Sequence, residues 1–204
     1  MPSVVYIVDD DVSFHTATRR QLQLAGYEVL TYLSGEQFLD QQRDDSRLGC
    51  LLVDVSIPGT NGPELQARLH EAGSTLPVVF VSAYEDVKTV VQTIKAGAED
   101  FLIKPVTSDV LLTAIERAIV QHDLSRKIVS ELNLLRAHVA RLTPRERQVF
   151  DLLVRGKINK QIGFQLGATE RTIKAHRRRV MEKMDVRSLG ELLVVAVRLG
   201  HSAV

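Results

Sequence analysis

The most constraining feature of the sequence is a regular alternation of short apolar runs with helical segments over residues 1–120. The runs are β-branched and apolar, as is typical of strands buried on both faces of a sheet. Between them the apolar spacing is helical, and Gly26 and Gly97 act as helix stop signals. Five strand–helix units in series predict an α/β fold with a doubly wound, five-stranded parallel sheet. The predicted strands are Val4–Val8, Glu28–Tyr32, Cys50–Val53, Pro77–Val81 and Asp100–Ile103.

Polar residues follow four of these strands at their carboxyl ends. Asp9 and Asp10 follow the first strand, Asp54 the third, Ser82 the fourth and Lys104 the fifth. Ligands bind outside this edge, and if the strand order is 2-1-3-4-5, the first and third strands are neighbours. The three carboxylates should therefore converge, and they need a cation such as Mg²⁺, which prefers hard oxygen ligands. A lysine and a hydroxyl across the cleft favour phosphoryl transfer to a carboxylate.

The charge distribution divides the chain in two. Residues 1–140 contain 12 Lys and Arg against 19 Asp and Glu, whereas residues 141–204 contain 14 against 6. An acidic front and a basic back suggest two domains with different partners, and a small basic domain is typical of nucleic-acid binding. The single cysteine excludes a disulfide scaffold. No apolar run is long enough for a membrane span and no secretory signal is visible, so we expect a cytoplasmic protein without a membrane partner.

The basic third shows the pattern of a helix-turn-helix. Thr143-Pro144-Arg145-Glu146 has the capping Thr, first-position Pro and third-position Glu of a helix start. Asn159 is predicted to cap a short helix that Gly167 ends. A three-residue turn then leads to a second helix over about Glu170–Met184, which completes an all-α second domain.

The helix from Glu170 has two faces. Ile173, Val180 and Met184 are spaced to face a core, and the opposite face carries cations. Arginine and lysine can read guanine edges in the major groove, and a small apolar residue can contact a thymine methyl. The candidate base-reading residues are Arg171, Lys174, Ala175 and Arg178. Residues predicted to contact phosphates include Arg177 and Lys183.

The segment between the two halves is predicted to be helical from Ser108. Its apolar residues have heptad spacing over Ile128, Leu132, Leu135, Val139 and Leu142. Two interpretations stay open: a helix packed on one of its own domains, or a dimer contact.

Four motifs resemble the receiver domain of bacterial two-component response regulators: Ile7-Val8-Asp9-Asp10-Asp11, Val53-Asp54-Val55-Ser56-Ile57-Pro58-Gly59, Val81-Ser82-Ala83 and Phe101-Leu102-Ile103-Lys104-Pro105. The resemblance covers residues 3–120 and implies a CheY-like fold. It implies that Asp54 is the phosphoacceptor. The implied Mg²⁺ ligands are Asp9, Asp10, Asp54 and the Ser56 backbone carbonyl. The implied phosphoryl contacts are Ser82 and Lys104, with Phe101 as an aromatic that changes rotamer.

Motifs in the basic third are similar to the LuxR/FixJ-type helix-turn-helix: Leu142-Thr143-Pro144-Arg145-Glu146-Arg147, Asn159-Lys160-Gln161-Ile162, Leu166-Gly167 and Thr172-Ile173-Lys174-Ala175-His176-Arg177. The resemblance places Lys174, Ala175 and Arg178 against bases. It places near the DNA backbone Asn159, Lys160, Thr169 and Thr172. The whole chain resembles a FixJ-type regulator with a receiver over 1–120, a helical linker over 121–140 and a DNA-binding domain over 141–204.

The resemblance implies a transcription regulator, not an enzyme beyond at most autophosphatase activity. A cognate sensor histidine kinase would phosphorylate Asp54. A homodimer formed on activation would then bind a pseudo-palindromic double-stranded DNA operator, and RNA polymerase is a candidate partner.

Two alternatives stay open. Asp9-Asp10-Asp11-Val12-Ser13 also fits the opening motif of haloacid-dehalogenase-type phosphatases, which need a second acidic pair after a later strand. The other alternative is a DNA-binding regulator that acts without phosphate. Tyr84 and Glu85 stand where close relatives of the resembling family often have His and Gly, which bears on the lifetime of the phosphoryl group.

Overall fold

The computed structural model describes residues 2–41, 47–83 and 86–201. The chain divides into two compact units, Met1–Arg126 and Lys127–Val204. The strands are β1 (Val4–Val8), β2 (Glu28–Tyr32), β3 (Gly49–Asp54), β4 (Val78–Ser82) and β5 (Asp100–Ile103). The helices of the first unit are α1 (Val12–Leu24), α2 (Gly35–Asp40), α3 (Gly62–Glu71) and α4 (Val87–Lys95), and α5 (Ser108–Ala140) begins in this unit and ends in the second. The second unit continues with α6 (Pro144–Val154), α7 (Asn159–Leu166), α8 (Glu170–Lys183) and α9 (Leu189–Arg198).

The sheet of the first unit has the predicted order, β2-β1-β3-β4-β5, and its described pairs are all parallel. Val8 pairs with Val53, so the residues that follow them, Asp9 and Asp54, lie side by side at the carboxyl edge. Ser82 pairs with Ile103 one strand farther on. The register therefore brings the polar ends of four strands to one edge of the sheet.

Both faces of the sheet are covered by apolar side chains. On β1, Tyr6 and Val8 belong to a cluster that includes Phe38 of α2, whereas Ile7 belongs to the opposite cluster with Ile115 of α5. Each of these five side chains is at least nine-tenths buried. Continuous apolar strands are therefore required here, because a parallel sheet buried on both sides has no solvent-facing side.

Capping side chains set the helix boundaries more finely than the apolar pattern does. Asp11 caps α1 by accepting hydrogen bonds from the backbone N–H groups of Ser13 and Phe14 at 2.8 and 3.3 Å. These hydrogen bonds lower the pKa of Asp11. Ser34 caps α2 by accepting from the Gln37 N–H at 3.2 Å, and the helix ends at Asp40.

The second unit is a helical bundle around one apolar core. Phe150, Ile162, Ile173 and Leu192, one from each of α6 to α9, are fully buried in it. The predicted capping box at Thr143 is present, and the predicted inner face of α8 is confirmed by the burial of Ile173, Val180 and Met184.

One prediction about the helical segments is wrong. Asn159 does not cap α7. The cap position is Ile158, whose N–H donates to Gln161 Oε1 at 3.1 Å.

The residues with heptad spacing lie in different environments. Val139 packs on the core of the second unit, whereas Ile128 is exposed. The two interpretations of this segment, a helix packed on its own domain and a dimer contact, both stay open.

A buried ion pair joins α6 to α8. Glu146 is 2% exposed and accepts a hydrogen bond from Lys183 Nζ at 2.6 Å and another from the Thr143 backbone N–H at 2.9 Å. Lys183 also donates to the Arg141 carbonyl at 3.1 Å. The hydrogen bond from Lys183 and those from Thr143 lower the pKa of Glu146 to about 2.

We predict that this pair makes the stability of the second unit depend on pH. The pKa of Glu146 lies below its ordinary value of 4.5, so the stabilisation is fully present above about pH 4.5 and is lost as pH falls toward 2. Glu146→Gln should lower the melting temperature at pH 7 by roughly 4–8 °C. The difference from wild type should shrink at low pH. Thermal unfolding of the full chain, followed through amide signals of the second unit, measures both effects.

Glu182→Gln is the matched control, because Glu182 forms an exposed ion pair with Arg178 within α8. Exposed pairs of this kind contribute little to stability. A Glu146→Gln variant whose deficit persisted unchanged from pH 7 to pH 2 would contradict the assignment.

Candidate functional site

The Lys104 ammonium is the centre of the carboxyl edge. Its Nζ donates to Asp9 Oδ2 and to Asp54 Oδ2, both at 2.7 Å. The two acceptor oxygens can therefore be no farther apart than twice that distance. One cation thus joins the carboxylates that follow β1 and β3.

Backbone hydrogen bonds hold the other oxygens of these carboxylates. Asp9 Oδ1 accepts from the Asp11 N–H at 2.9 Å, and Asp54 Oδ1 accepts from the Ser56 N–H at 3.0 Å. Asp9 is 1% exposed, Asp54 is half-buried and Asp10 is exposed. The site therefore combines two fixed carboxylates with a third that is free to reach an incoming cation.

Gly62 lets α3 approach the end of β3 closely. A Cβ at this position would lie 2.6 Å from the Asp54 carbonyl oxygen and 2.9 Å from the Phe80 ring, so a side chain here would force the backbone apart. Asn61 caps the helix just before it by accepting from the Glu64 N–H at 2.9 Å. The first turn of α3 is thereby held against the end of β3.

Electrostatics at the edge favour a charged lysine. Burial alone would lower the pKa of Lys104, but the hydrogen bonds to Asp54 and Asp9 outweigh it and the pKa is raised. Nearby, burial lowers the pKa of His15 although Asp9 and Asp11 act in the opposite direction. A cationic Lys104 therefore balances the carboxylates, with a neutral imidazole beside them.

The remaining receiver residues lie at or below the same edge. Ser82 ends β4, is 1% exposed, and its carbonyl accepts from the Lys104 N–H at 2.8 Å. Phe101 is half-buried two residues before the end of β5 and stacks on Phe80, with ring centroids 6.1 Å apart. The Lys104–Pro105 peptide bond is cis. Tyr84 and Glu85 lie outside the described residues.

The donor set at this edge suits a hard cation. Within residues 2–41, 47–83 and 86–201, no three His, Cys, Asp or Glu side chains are assembled as a ligand group. Asp9 and Asp54 are instead close together and share Lys104, with Asp10 next in the chain. Carboxylate oxygens with solvent access on one side are what Mg²⁺ needs, since it keeps several of its waters.

We predict that Lys104 competes with Mg²⁺ for the carboxylates. Lys104→Met removes the ammonium but keeps most of the side-chain volume, so Mg²⁺ affinity should rise roughly tenfold. Mg²⁺ titrations followed by the amide signals of residues 9–11 and 54–56 measure the change. Lys95→Met removes an equal charge from an exposed position and should leave the affinity unchanged. Equal affinities in wild type and Lys104→Met would contradict the competition.

A second candidate site is the exposed face of α8. The predicted base-reading residues all lie on it: Arg171, Lys174, Ala175 and Arg178. Lys174 Nζ lies 3.5 Å from Glu170, and Arg178 Nε lies 2.8 Å from Glu182, with Arg178 still 83% exposed. These cations are therefore held by weak surface pairs that a stronger anion can displace.

Residues around the turn are used within the fold. Arg177 Nη1 donates to Asn159 Oδ1 at 3.4 Å, which joins α8 to α7. The Thr169 hydroxyl caps α8 by accepting from the Thr172 N–H at 3.2 Å, and the two hydroxyls lie 2.9 Å apart. Lys160 is exposed on α7.

Lys183, predicted to contact phosphates, is also used within the fold. Its ammonium is held by Glu146 and the Arg141 carbonyl. The reason is that a buried carboxylate needs a cation more than an exposed surface does.

Sequence reasoning assigned no role to Phe14 or Gly62, and it used Glu146 only as a capping residue. The Lys104 ammonium lies 4.4 Å from the centroid of the Phe14 ring. No spacing rule connects positions 14 and 104. The approach of α3 to Asp54 shows why a glycine is needed at position 62.

Two protein families match successive segments of the chain. The response regulator receiver domain matches residues 5–116, and the bacterial regulatory proteins of the luxR family match residues 140–196. The chain is 36% identical over 200 residues to the response regulator protein TodT of Pseudomonas putida, covering 98% of this chain and 88% of TodT. It is 37% identical over 196 residues to the transcriptional regulatory protein FixJ of Bradyrhizobium diazoefficiens, covering 96% of this chain and 95% of FixJ.

Solved structures show the same architecture. The response regulator StyR matches with a TM-score of 0.81 and 38% identity, covering 97% of this chain and all of StyR. Full-length FixJ from B. japonicum matches with a TM-score of 0.58 and 35% identity, covering 98% of both chains. The chain therefore belongs to the response regulators that join a receiver domain to a LuxR-type DNA-binding domain, the family of the transcription regulators FixJ and TodT.

The phosphatase alternative lacks support at the sheet edge. Glu99 and Asp100 lie at the beginning of β5, opposite the edge that carries Asp9 and Asp54. Arg117 lies 3.9 Å from Glu99 and 2.6 Å from Asp100.

Over the described part of the chain, no helix is long and apolar enough to cross a membrane.

Proposed function

We propose that this regulator is switched by phosphorylation of Asp54 by a sensor histidine kinase. The observation that carries the proposal is the single ammonium shared by Asp9 and Asp54 at the carboxyl edge. A carboxylate oxygen of Asp54 attacks the phosphorus of the kinase phosphohistidine. The new P–O bond forms as the P–N bond breaks, and the imidazole leaves with the electron pair. The chain acts as phosphoacceptor, with at most autophosphatase activity.

The proposed Mg²⁺ ligands are Asp9, Asp10, Asp54 and the backbone carbonyl of Ser56. Mg²⁺, when bound, neutralises charge on the phosphoryl oxygens during transfer. The residues of the chain position the acceptor: the Ser56 N–H holds one Asp54 oxygen and directs the carboxylate outward. Exposed Asp10 can turn toward the cation without breaking a described contact of its own.

After transfer, the phosphoryl group takes over the partners of the acceptor carboxylate. Lys104 contacts its oxygens from the position it already holds, and the Ser82 hydroxyl approaches from the end of β4. Movement of Ser82 leaves space below it, and Phe101 changes rotamer to fill that space. Support comes from the half-buried, stacked position of Phe101 on the adjacent strand.

The proposed output is DNA binding by a homodimer in the cytoplasm. Exposed apolar side chains are available for self-association on α4 (Val87, Val91, Ile94) and on α9 (Val194, Val197). Two recognition helices related by a two-fold axis would read the two halves of a pseudo-palindromic operator. RNA polymerase is the proposed partner of the DNA-bound form.

We predict that phosphorylation occurs on Asp54 alone. With acetyl phosphate and Mg²⁺, intact-protein mass spectrometry should show one added phosphoryl group on wild type. It should show none on Asp54→Asn, because an amide is not a nucleophile toward phosphorus, and none when the metal is chelated. Asp86→Asn is the control, because Asp86 is an exposed carboxylate that caps α4. Phosphorylation of the Asp54→Asn variant would show that Asp54 is not the phosphoacceptor. Equal DNA affinity of the phosphorylated and unphosphorylated protein would favour the alternative of a regulator that acts without phosphate.

We further predict that α8 residues specify the DNA sequence whereas α7 positions the domain. Lys174→Ala and Arg178→Ala should each weaken binding to a fragment selected from random DNA by about 1–3 kcal/mol and relax its sequence preference. Lys160→Ala should weaken all sequences similarly and reduce the salt slope by about 1. Fluorescence anisotropy at several salt concentrations separates the two effects. Unchanged preference in both α8 variants would remove them from the base-reading surface.

A further inference from the structure

The ammonium of Lys104 has a third neighbour besides the two carboxylates. Phe14 lies in the first turn of α1, and the centroid of its ring is 4.4 Å from Lys104 Nζ. An ammonium has three N–H donors, and the carboxylates of Asp9 and Asp54 take two of them. The aromatic face therefore lies against a cation whose remaining donor has little access to water, since the Lys104 side chain is 19% exposed.

The electrostatics of this contact are favourable. The face of an aromatic ring is negative, and a cation within about 6 Å of the centroid is attracted to it, more strongly when water is excluded. Burial of the ammonium has a cost, which the carboxylates and the ring offset together. A leucine would place a smaller apolar side chain beside the lysine and would not attract its charge.

The ring is held in place independently of the lysine. The Phe14 N–H donates to Asp11 Oδ1, which fixes the residue in the first helical turn. The half-buried ring packs on the apolar cluster that α1 and α5 form over one face of the sheet. Phe14 is therefore a fixed wall beside Lys104.

We propose that Phe14 is a positioning residue that keeps the Lys104 ammonium directed at Asp54 by a cation–π contact. The inference rests on the proposed function, because the consequence of this positioning is faster phosphoryl transfer to Asp54. When the phosphoryl group arrives, the lysine needs to shift only from one acceptor oxygen to another. Without the ring, the carboxylates alone hold the ammonium, and it is less often in place.

The test replaces Phe14 in the full-length chain with 3,4,5-trifluorophenylalanine, which keeps the ring shape but removes most of the negative potential of its face. We expect the rate of phosphorylation by acetyl phosphate to fall about three- to tenfold. Phe14→Leu should fall at least as far, and Phe14→Trp should retain or exceed the wild-type rate. The same analogue at Phe38, which packs against Tyr6 and Tyr32 in the opposite cluster, controls for fluorination of a core ring.

A trifluorophenylalanine variant with the wild-type rate beside a slow Phe14→Leu variant would overturn the proposal, because packing alone would then explain the loss. A second readout does not depend on phosphorylation. The Lys104 ε-CH₂ protons should show an upfield ring-current shift in wild type that Phe14→Leu abolishes. If wild type shows this shift but Asp54 is never phosphorylated, the proposed function fails and the contact stands. If the shift is absent, the inference fails whatever the fate of Asp54.

Discussion

The shared hydrogen bonding of the Lys104 ammonium to Asp9 and Asp54 is the interaction on which the receiver site depends. Two carboxylates side by side on neighbouring strands repel each other, and one of them is almost fully buried. Such an arrangement is stable only with a cation between them, which here is a side chain from the end of β5. The strand order makes this geometry accessible, since β1 and β3 are neighbours and their ends meet where the crossovers diverge.

In the second unit, too, a buried carboxylate is paired with a lysine. Glu146 of α6 is buried, and the ammonium of Lys183 on α8 lies 2.6 Å from its carboxylate and neutralises it. The Arg177–Asn159 hydrogen bond adds a second connection, between α8 and α7. Charged contacts thus orient α8 on one side, while the exposed Lys174 and Arg178 on its other side form surface pairs. One set of basic residues supports the fold, and another is exposed to solvent.

The strand positions and the edge chemistry were predictable from local sequence patterns, whereas the strand order was implied by the resemblance to receiver domains. Apolar runs located the strands, and the polar residues after them located Asp9, Asp54, Ser82 and Lys104 at one edge. The remaining features depend on residues far apart in the chain. Asparagine is a residue type that often caps helices, but the Asn159 side chain accepts a hydrogen bond from Arg177, eighteen positions later. Lys183 carries the charge of a phosphate contact, but Glu146 lies beneath it. Neither contact can be inferred before the helices are packed.

The central claim is that chemistry at Asp54 controls the assembly that binds DNA. Light scattering of the full-length chain in Mg²⁺, with and without beryllium fluoride as a mimic of the acyl phosphate, tests it most directly. The predicted result is a solution mass near 22.8 kDa in Mg²⁺ alone and a shift toward twice that mass with beryllium fluoride, absent in Asp54→Asn. The same mass in both conditions would contradict control of assembly by the receiver.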